Sequence, residues 1–563
     1  MRKAFIFGVL LAALIPAAHL AWVAREMPHF GHLHDDSIYF VCAKSLAEGH
    51  SYRILSLPGE PYQTKYPPLW PVALAGIWKI KPCFPENLRW GMPLAFAMLP
   101  GVLALAWQWF RRMELGAGVC TTLCALIALS PCVIVLSTGL MSDLPFTVAL
   151  VAAILAIESA ERGVWKAVAA GVLSSAAYLI KTAALPLIVA GPLWLMLRRK
   201  YREAVILFGT MLPAVAGWML WCRAHVSQGR DLVTLYYTNY LGYQTYNVGW
   251  SDLPLVMWKN LDGVFCGIAE LLIFDLSTSA WGMHLARFLA ILGIAGTVRL
   301  ARRRGMTPYH WFALGYTAVL LVWHFPPNNR FLLPLFPLLL AGFVAESANL
   351  ADVIRNEWPR SPLHKTVVVG LCAGFGGIFC AGVVANMRAM RETVPLVVAQ
   401  HRAVLASNRR AFAWIVENTP AGNFYAYDDP VFYLYTGRHA ASLPVAPLPF
   451  YRQDRESVLR PFREMFAFAH QERLDYLLLT AADFHRDLGE AERIEVRRIL
   501  ERENAFTPIY RWSLSAVYSI ARERAIGDTK RVEINTANIV KTAGAPESAH
   551  ATRRRFNGFG SGR

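Results

Sequence analysis

The sequence predicts a polytopic α-helical membrane protein with a small α/β domain outside the membrane, and three observations predict it. Its 563 residues are 55% hydrophobic and only 17% charged, with a mean hydropathy of +0.33, whereas soluble domains carry about 25% charged residues. Apolar runs near the ~20 residues of a spanning helix recur along most of the length. Lysines and arginines fall in short clusters between those runs, at Arg111-Arg112, Arg198-Arg199-Lys200 and Arg302-Arg303-Arg304. Clusters that alternate with spans mark topology, so the net charge of +17 does not read as a nucleic-acid surface.

The apolar runs lie at 4–23, 91–110, 117–137, 145–160, 166–181, 183–197, 204–222, 284–300, 308–325, 331–348 and 366–386, about eleven spans. The first has a basic start, "MRK", and reads as a retained signal-anchor. Arg2 and Lys3 place the N-terminus on the cytoplasmic side. Counting crossings from there puts Arg111-Arg112, Arg162 with Lys166, "RRKYR" at 198–202, "RLARRR" at 299–304 and Arg355 to Lys365 all inside. One topology thus accommodates every major basic cluster. The same count puts loop 24–90, the stretch around Asp143, the stretch 223–283 and everything after about 387 outside, with tight outer turns near Lys181 and Arg330.

The multi-span module covers 1–390. Its stretch 223–283 is crowded with tyrosines, "LYYTNYLGYQTYNVGW", then becomes apolar while carrying Lys259, Asp262 and Glu270, which reads as helices lying in the interface. Residues 391–525 form the outer α/β domain, a usual domain size. There "SNRRAFAWIVENTPAGNFYAYDDPVFYLYTGRH" reads as an amphipathic helix, a turn, a short strand and a helix ending at Gly437. "RLDYLLLTA" and "WSLSAVYSIA" read as further strands. The tail 526–563 lacks periodicity and reads as disordered. The nine cysteines show no metal spacing. Cys120, Cys124, Cys132, Cys372 and Cys380 sit in apolar runs as small hydrophobes, and Cys42 and Cys83 share loop 24–90 as two thiols or one disulfide.

The candidate site residues gather on the outer face. In "HLHDDSIYFVCAKSLAEGH" the apolar residues keep helical spacing and Gly49 is the stop. Asp35 and Asp36 open that helix, where the dipole favours acids, and either serves as an N-cap. Adjacent helical residues point about 100° apart, so one can cap while the other faces a site. Asp35 shares a face with Tyr39 at i,i+4, which favours Asp35 for the site. Asp143 in "STGLMSDLPF" lies at the mouth of a span, either a site acid or a plain cap. Lys65 in "TKYPPLWP", Lys181 in "YLIKTAALP" and Arg330 in "PPNNRFLLPLFP" bring positive charge to the same side. A lone cation there reads as a snorkelling anchor. Three cations with two acid positions on one membrane face point to an anionic lipid headgroup and a reacting group.

The early acidic pair followed by "Y…AK.LAEG.SY", then "KYPPLWP", "LMSDLPF", "RFLLPLFP" and "YLYTGR", resembles the GT-C glycosyltransferases of the protein O-mannosyltransferase and aminoarabinose-transferase (ArnT-like) type over roughly residues 1–440. The family often has Asp-Glu where this chain has Asp35-Asp36. The resemblance implies a GT-C-like fold in the inner (plasma) membrane and transfer of one sugar from a polyprenyl-phosphate donor to an acceptor hydroxyl of a lipid, glycan or protein, with inversion. In that reaction Asp35 is the candidate base, and Lys65, Lys181 and Arg330 stabilise the departing phosphate. Asp143 orients the acceptor or helps bind a divalent cation, and Asp36, Tyr39 and Tyr66 complete the substrate-binding set. The residues fix no cofactor, and in the absence of a decisive metal motif a divalent cation stays open. Two other classes fit a polytopic chain. A transporter or flippase would carry its charges near the midplane, with internal repeats. A non-enzymatic envelope scaffold would leave the acids and cations without a purpose.

Overall fold

The computed structural model describes residues 2–521 apart from 228, 230, 358–365, 367–369, 371–376, 379 and 514. Nearly half of the run read at 366–386, together with Cys372 and the tail 526–563, therefore lies outside the described residues.

The chain opens with α1 (Arg2–Val23), followed by a loop folded around α2 (Asp35–Glu48) and α3 (Leu69–Ile80). Next come α4 (Leu88–Arg112), α5 (Ala117–Leu129), α6 (Pro131–Leu136), α7 (Asp143–Ala160), α8 (Val164–Ile180), α9 (Leu187–Leu197) and α10 (Tyr201–His225). Short helices α11 (Leu232–Thr238) and α12 (Tyr240–Gln244) lead to α13 (Leu253–Leu272), α14 (Ala280–Arg304), α15 (Pro308–Leu321), α16 (Asn329–Leu332) and α17 (Phe336–Glu357). Among the described residues six helices are long and apolar enough to cross a membrane: Ala4–Val23, Leu88–Arg112, Asp143–Ala160, Tyr201–His225, Ala280–Arg304 and Asn329–Val353.

Several expected spans are shorter than their apolar runs. The run 117–137 is two helices, α5 and α6, because Pro131 has no N–H to continue a helix and holds Ser130 extended at φ −69°, ψ 121°. The runs at 166–197 become α8 and α9 on either side of a 3-10 turn at Thr182–Ala184. The loop 24–90 contains an apolar helix that the spacing analysis missed. At 12 residues α3 reaches about 18 Å, too short to span.

α13 is one 20-residue helix. A Cβ at its Gly263 would lie 2.9 Å from the Pro327 carbonyl oxygen, and one at Gly267 would lie 3.0 Å from the Asn328 carbonyl carbon. Only glycine lets α13 press this closely on the turn before α16, and that contact fixes the turn bearing Arg330. The Asn260 side chain adds hydrogen bonds to the Leu321 and Trp323 carbonyls at 3.0 and 2.9 Å, closing the end of α15.

The C-terminal part begins with α18 (Val394–Asn418) and α19 (Asp429–Thr436), the latter ending at left-handed Gly437 as its sequence requires. Five strands follow the order β2-β1-β3-β5-β4, with β1 at Phe424–Tyr425, β2 at Ala440–Ala441, β3 at Tyr476–Leu479, β4 at Phe506–Trp512 and β5 at Ser515–Ile520. β1 is parallel to β2 and β3, with Phe424 opposite Ala440 and Tyr476, while β5 is antiparallel to β3 and β4. Ala411, Phe412 and Ile415 of α18 pack against Phe424, Leu478 and Val517 of the sheet. The larger apolar core runs without a break from the helical body into this domain. Cys42 and Cys83 are free thiols, the first buried and the second exposed.

Candidate active site

The two neighbouring aspartates at the start of α2 have different surroundings. The helix is entered through His34, which holds φ 66°, a left-handed conformation unusual for a residue with a side chain. This sharp entry turns Asp35 away from the loop. Its Oδ2 accepts a hydrogen bond from Arg330 at 3.2 Å and its Oδ1 accepts one from the Tyr66 hydroxyl at 2.7 Å. Burial pushes the Asp35 carboxyl up, but Arg330, the Tyr66 hydrogen bond, Lys65 and Lys181 outweigh it and hold the group below the usual carboxylate value.

Asp36 faces the other way. It accepts from the backbone N–H of Gly31 at 3.2 Å and of Ser37 at 3.0 Å, so it pins the loop rather than joining the cations. Burial raises its carboxyl to about 7, against the pull of those two N–H groups. The substrate-binding role expected for Asp36 has no geometric support: it lines a separate, mostly apolar cleft with His29, His32 and His401. A second cleft continues past the same histidines to Asp428 and His485 in the C-terminal domain.

Asp143 opens α7, but the N-cap is Ser142 and no side chain caps that helix, so the plain-cap alternative does not hold. Asp143 Oδ1 instead accepts from Lys181 Nζ at 2.7 Å. Its Oδ2 is buried without a hydrogen-bond partner among the described residues, as are Arg330 Nε and Asn328 Oδ1. Buried polar atoms normally find partners, so this part of the molecule retains unused hydrogen-bonding capacity. The Phe331 ring lies 5.2 Å from Lys181 Nζ and 4.8 Å from the Arg330 guanidinium, so both cations rest against the same ring.

Lys65 completes the group from the loop. Gln63 accepts from the backbone N–H groups of Lys65 and Tyr66 at 2.8 and 3.0 Å. Tyr52 donates to the Tyr66 carbonyl at 3.0 Å, so the "KYPP" turn is fixed before the prolines begin. Lys65 Nζ donates to the Tyr236 carbonyl at 2.7 Å and lies 4.3, 5.0 and 5.2 Å from the ring centres of Tyr236, Tyr240 and Tyr66. Among the described residues no carboxylate is in contact with the amine, and burial lowers Lys65 to about 8 against the raising effect of Asp35. Tyr39 lies within 3.0 Å of the Ser142 hydroxyl and meets the Tyr66 ring edge-on at 5.0 Å, so it packs the floor between the two acids.

Asp35, Asp143, Tyr39, Lys65, Tyr66, Lys181 and Arg330 therefore converge, while Asp36 does not. Sequence spacing missed Tyr236 and Tyr240, although the crowding of tyrosines marked their segment. Among the described residues no group of three or more His, Cys, Asp or Glu side chains is arranged to hold a metal ion, and Asp143, expected to orient acceptor or metal, is in direct contact with a lysine.

The architecture has a counterpart among solved structures. ArnT from Cupriavidus metallidurans bound to undecaprenyl phosphate superposes with a TM-score of 0.51 over 92% of this chain and 98% of that one, at 13% identity. The fold is that of ArnT. The apo structure of the same protein gives a TM-score of 0.47 over 90% and 98% of the two chains, again at 13% identity. No family model matches the sequence, and no curated protein matches it. The likeness to ArnT is thus one of architecture, helical body and C-terminal sheet together, with most side chains replaced.

Proposed function

We propose that this chain is a membrane glycosyltransferase that moves one sugar from a polyprenyl-phosphate donor to an acceptor hydroxyl on the outer face of the inner membrane. The observation that carries the proposal is the convergence of Lys65, Lys181 and Arg330 around Asp35, beside apolar helices suited to a lipid chain. The solved ArnT structure with undecaprenyl phosphate supports a donor of that class.

The residues suit the chemistry. As the acceptor oxygen bonds to the anomeric carbon, the bond from that carbon to the phosphate oxygen breaks and its electron pair leaves on the phosphate. The hydroxyl proton passes to Asp35. One displacement of this kind inverts the anomeric centre. A lipid phosphate is a weak base and needs positive charge rather than a proton, which the lysines and the arginine supply in a partly buried setting. Before the donor arrives Arg330 is paired with Asp35 and keeps it a weak base. A phosphate that draws the guanidinium toward itself removes that restraint, so donor binding strengthens the base. Asp143 holds Lys181 in place and keeps one free oxygen for an acceptor hydroxyl.

The test uses the purified protein with undecaprenyl phosphate and with polyprenyl-phosphate sugars. Lys65→Ala and Arg330→Ala should each weaken undecaprenyl phosphate binding by about tenfold or more, the effect of losing one charge-assisted contact, and sugar transfer should fall with it. A protein that binds no polyprenyl phosphate, or variants that bind it as well as the wild type, would overturn the proposal.

A further inference from the structure

The outer domain meets the segment that carries the Lys65 cage at a cluster centred on a buried carboxyl, Asp429. Asp429 is fully buried at the start of α19. It accepts hydrogen bonds from the Tyr237 hydroxyl and, at 3.0 Å, from Ser56 in the loop before Lys65. The Tyr237 hydroxyl also lies 2.9 Å from Ser442, just after β2, and the Ala440 N–H of β2 donates to the Ser56 carbonyl at 2.8 Å. The three residues 236–238 thus each make a different tie. The Tyr236 carbonyl accepts from Lys65 Nζ, the Tyr237 hydroxyl reaches Asp429, and the Thr238 carbonyl accepts from Thr64 at 2.6 Å. α11 is fastened to the outer domain on one side and to the "TKYPP" turn on the other.

An apolar residue would pack this junction without the desolvation that a carboxyl brings. What a carboxyl adds is direction, because its two oxygens fix the Tyr237 hydroxyl and Ser56 at once. Tyr237 in turn sets the rotation of α11 and hence the aim of the carbonyl one residue earlier. That carbonyl is the only hydrogen-bond acceptor recorded for Lys65 Nζ among the described residues.

We infer that Asp429 and Tyr237 are positioning residues, through which the outer domain aims Lys65 at the donor phosphate and so sets donor affinity. The inference rests on the donor reading given above. It separates the domain's role from mere cover: the outer domain fixes how firmly the donor is held, while transfer itself stays with Asp35.

The experiment compares Tyr237→Phe and Ser442→Ala with a control, Tyr427→Phe, using three readouts. Tyr427 is a similarly buried outer-domain tyrosine whose hydroxyl donates to Asp487 at 2.7 Å and makes no hydrogen bond to α11 among the described residues. The readouts are undecaprenyl phosphate affinity with donor KM and kcat, the thermal midpoint, and the rate of Lys65 acylation followed by peptide mass spectrometry. Tyr237→Phe should weaken donor binding and raise donor KM about five- to tenfold with kcat within about twofold, consistent with one lost buried hydrogen bond. Lys65, now less confined, should acylate several-fold faster. Ser442→Ala should move both readouts in the same direction by less. Tyr427→Phe should lower the thermal midpoint as much and change neither. If Tyr237→Phe lowers the midpoint while donor affinity and Lys65 acylation stay at wild-type values, the positioning role is overturned. Faster Lys65 acylation in a protein whose wild type binds no polyprenyl phosphate would leave the coupling standing and remove the donor reading.

Discussion

Asp35 and Asp36 are adjacent on one helix turn, yet they face different parts of the molecule. Asp35 looks into a group of cations and tyrosine rings, and its carboxyl is held low. Asp36 looks into a loop and a histidine-lined cleft, is held by backbone N–H groups, and is raised to about 7. The helix supplies the separation of about 100° between neighbours, and the strained entry at His34 decides which acid faces which side. Repeating an acid in sequence therefore does not repeat a function. One carboxylate is available for chemistry because the other secures the turn that presents it.

The largest expected effect breaks this comparison at Asp35. Asp35→Asn keeps the shape but cannot take a proton, so single-turnover transfer should fall by about 10²–10⁴-fold. Donor affinity should hold or rise, because Arg330 loses its internal partner. Asp36→Asn in the same assay should stay within about threefold of wild type. A comparable collapse in both variants would mean that the two acids act as one unit.

Next in size is the Asp143–Lys181 pair. Lys181→Ala leaves a carboxylate that is 1% exposed without its cation, and breaking a buried pair costs about 3–5 kcal/mol. The thermal midpoint in detergent should drop sharply, and Asp143→Asn in the same chain should recover part of the loss. No recovery would mean that Lys181 matters chiefly through its packing on Phe331.

Much of this arrangement was legible in the sequence, and the remainder was hidden for identifiable reasons. The α2 helix, its stop at Gly49 and the shared face of Asp35 and Tyr39 follow from local spacing, which is a short-range property. The membrane class follows from composition, and the C-terminal strands at Tyr476–Leu479 and Ser515–Ile520 from their apolar runs. The cage around Lys65 was hidden because Tyr236 lies 171 positions away in the chain, and no local pattern reports such a contact. Asp429 was hidden for the same reason. β2 is two residues long and β4 contains Pro508, so neither gives a strand signal. The split at Pro131 was written in the sequence and was overridden by the apolar run around it.

A smaller effect sharpens the comparison through pH. The folded protein keeps a proton on Asp36 up to about 7, whereas the unfolded chain loses it near 3.8. Stability contributed by that proton is complete at low pH and is lost as pH rises across this interval. Asp36→Asn, which mimics the protonated side chain, should gain on the wild type by roughly 2–4 kcal/mol between pH 4 and pH 7. Chemical denaturation at several pH values reads this directly, and a constant difference across the range would contradict the assignment. Asp35→Asn should show the opposite trend at lower pH, since a carboxyl held low adds stability that is complete above its unfolded value of 3.8 and is lost as pH falls through its folded value. The smallest effect belongs to Tyr39→Phe. It removes one hydrogen bond to Ser142, worth about 1 kcal/mol, and should change transfer by less than about fivefold.

The most direct measurement is a structure of this protein with undecaprenyl phosphate bound. The account predicts the phosphate between Lys65, Lys181 and Arg330, with Arg330 drawn from Asp35 toward the phosphate oxygens. A phosphate seated instead among His29, His32 and His401, on the face of Asp36, would contradict it.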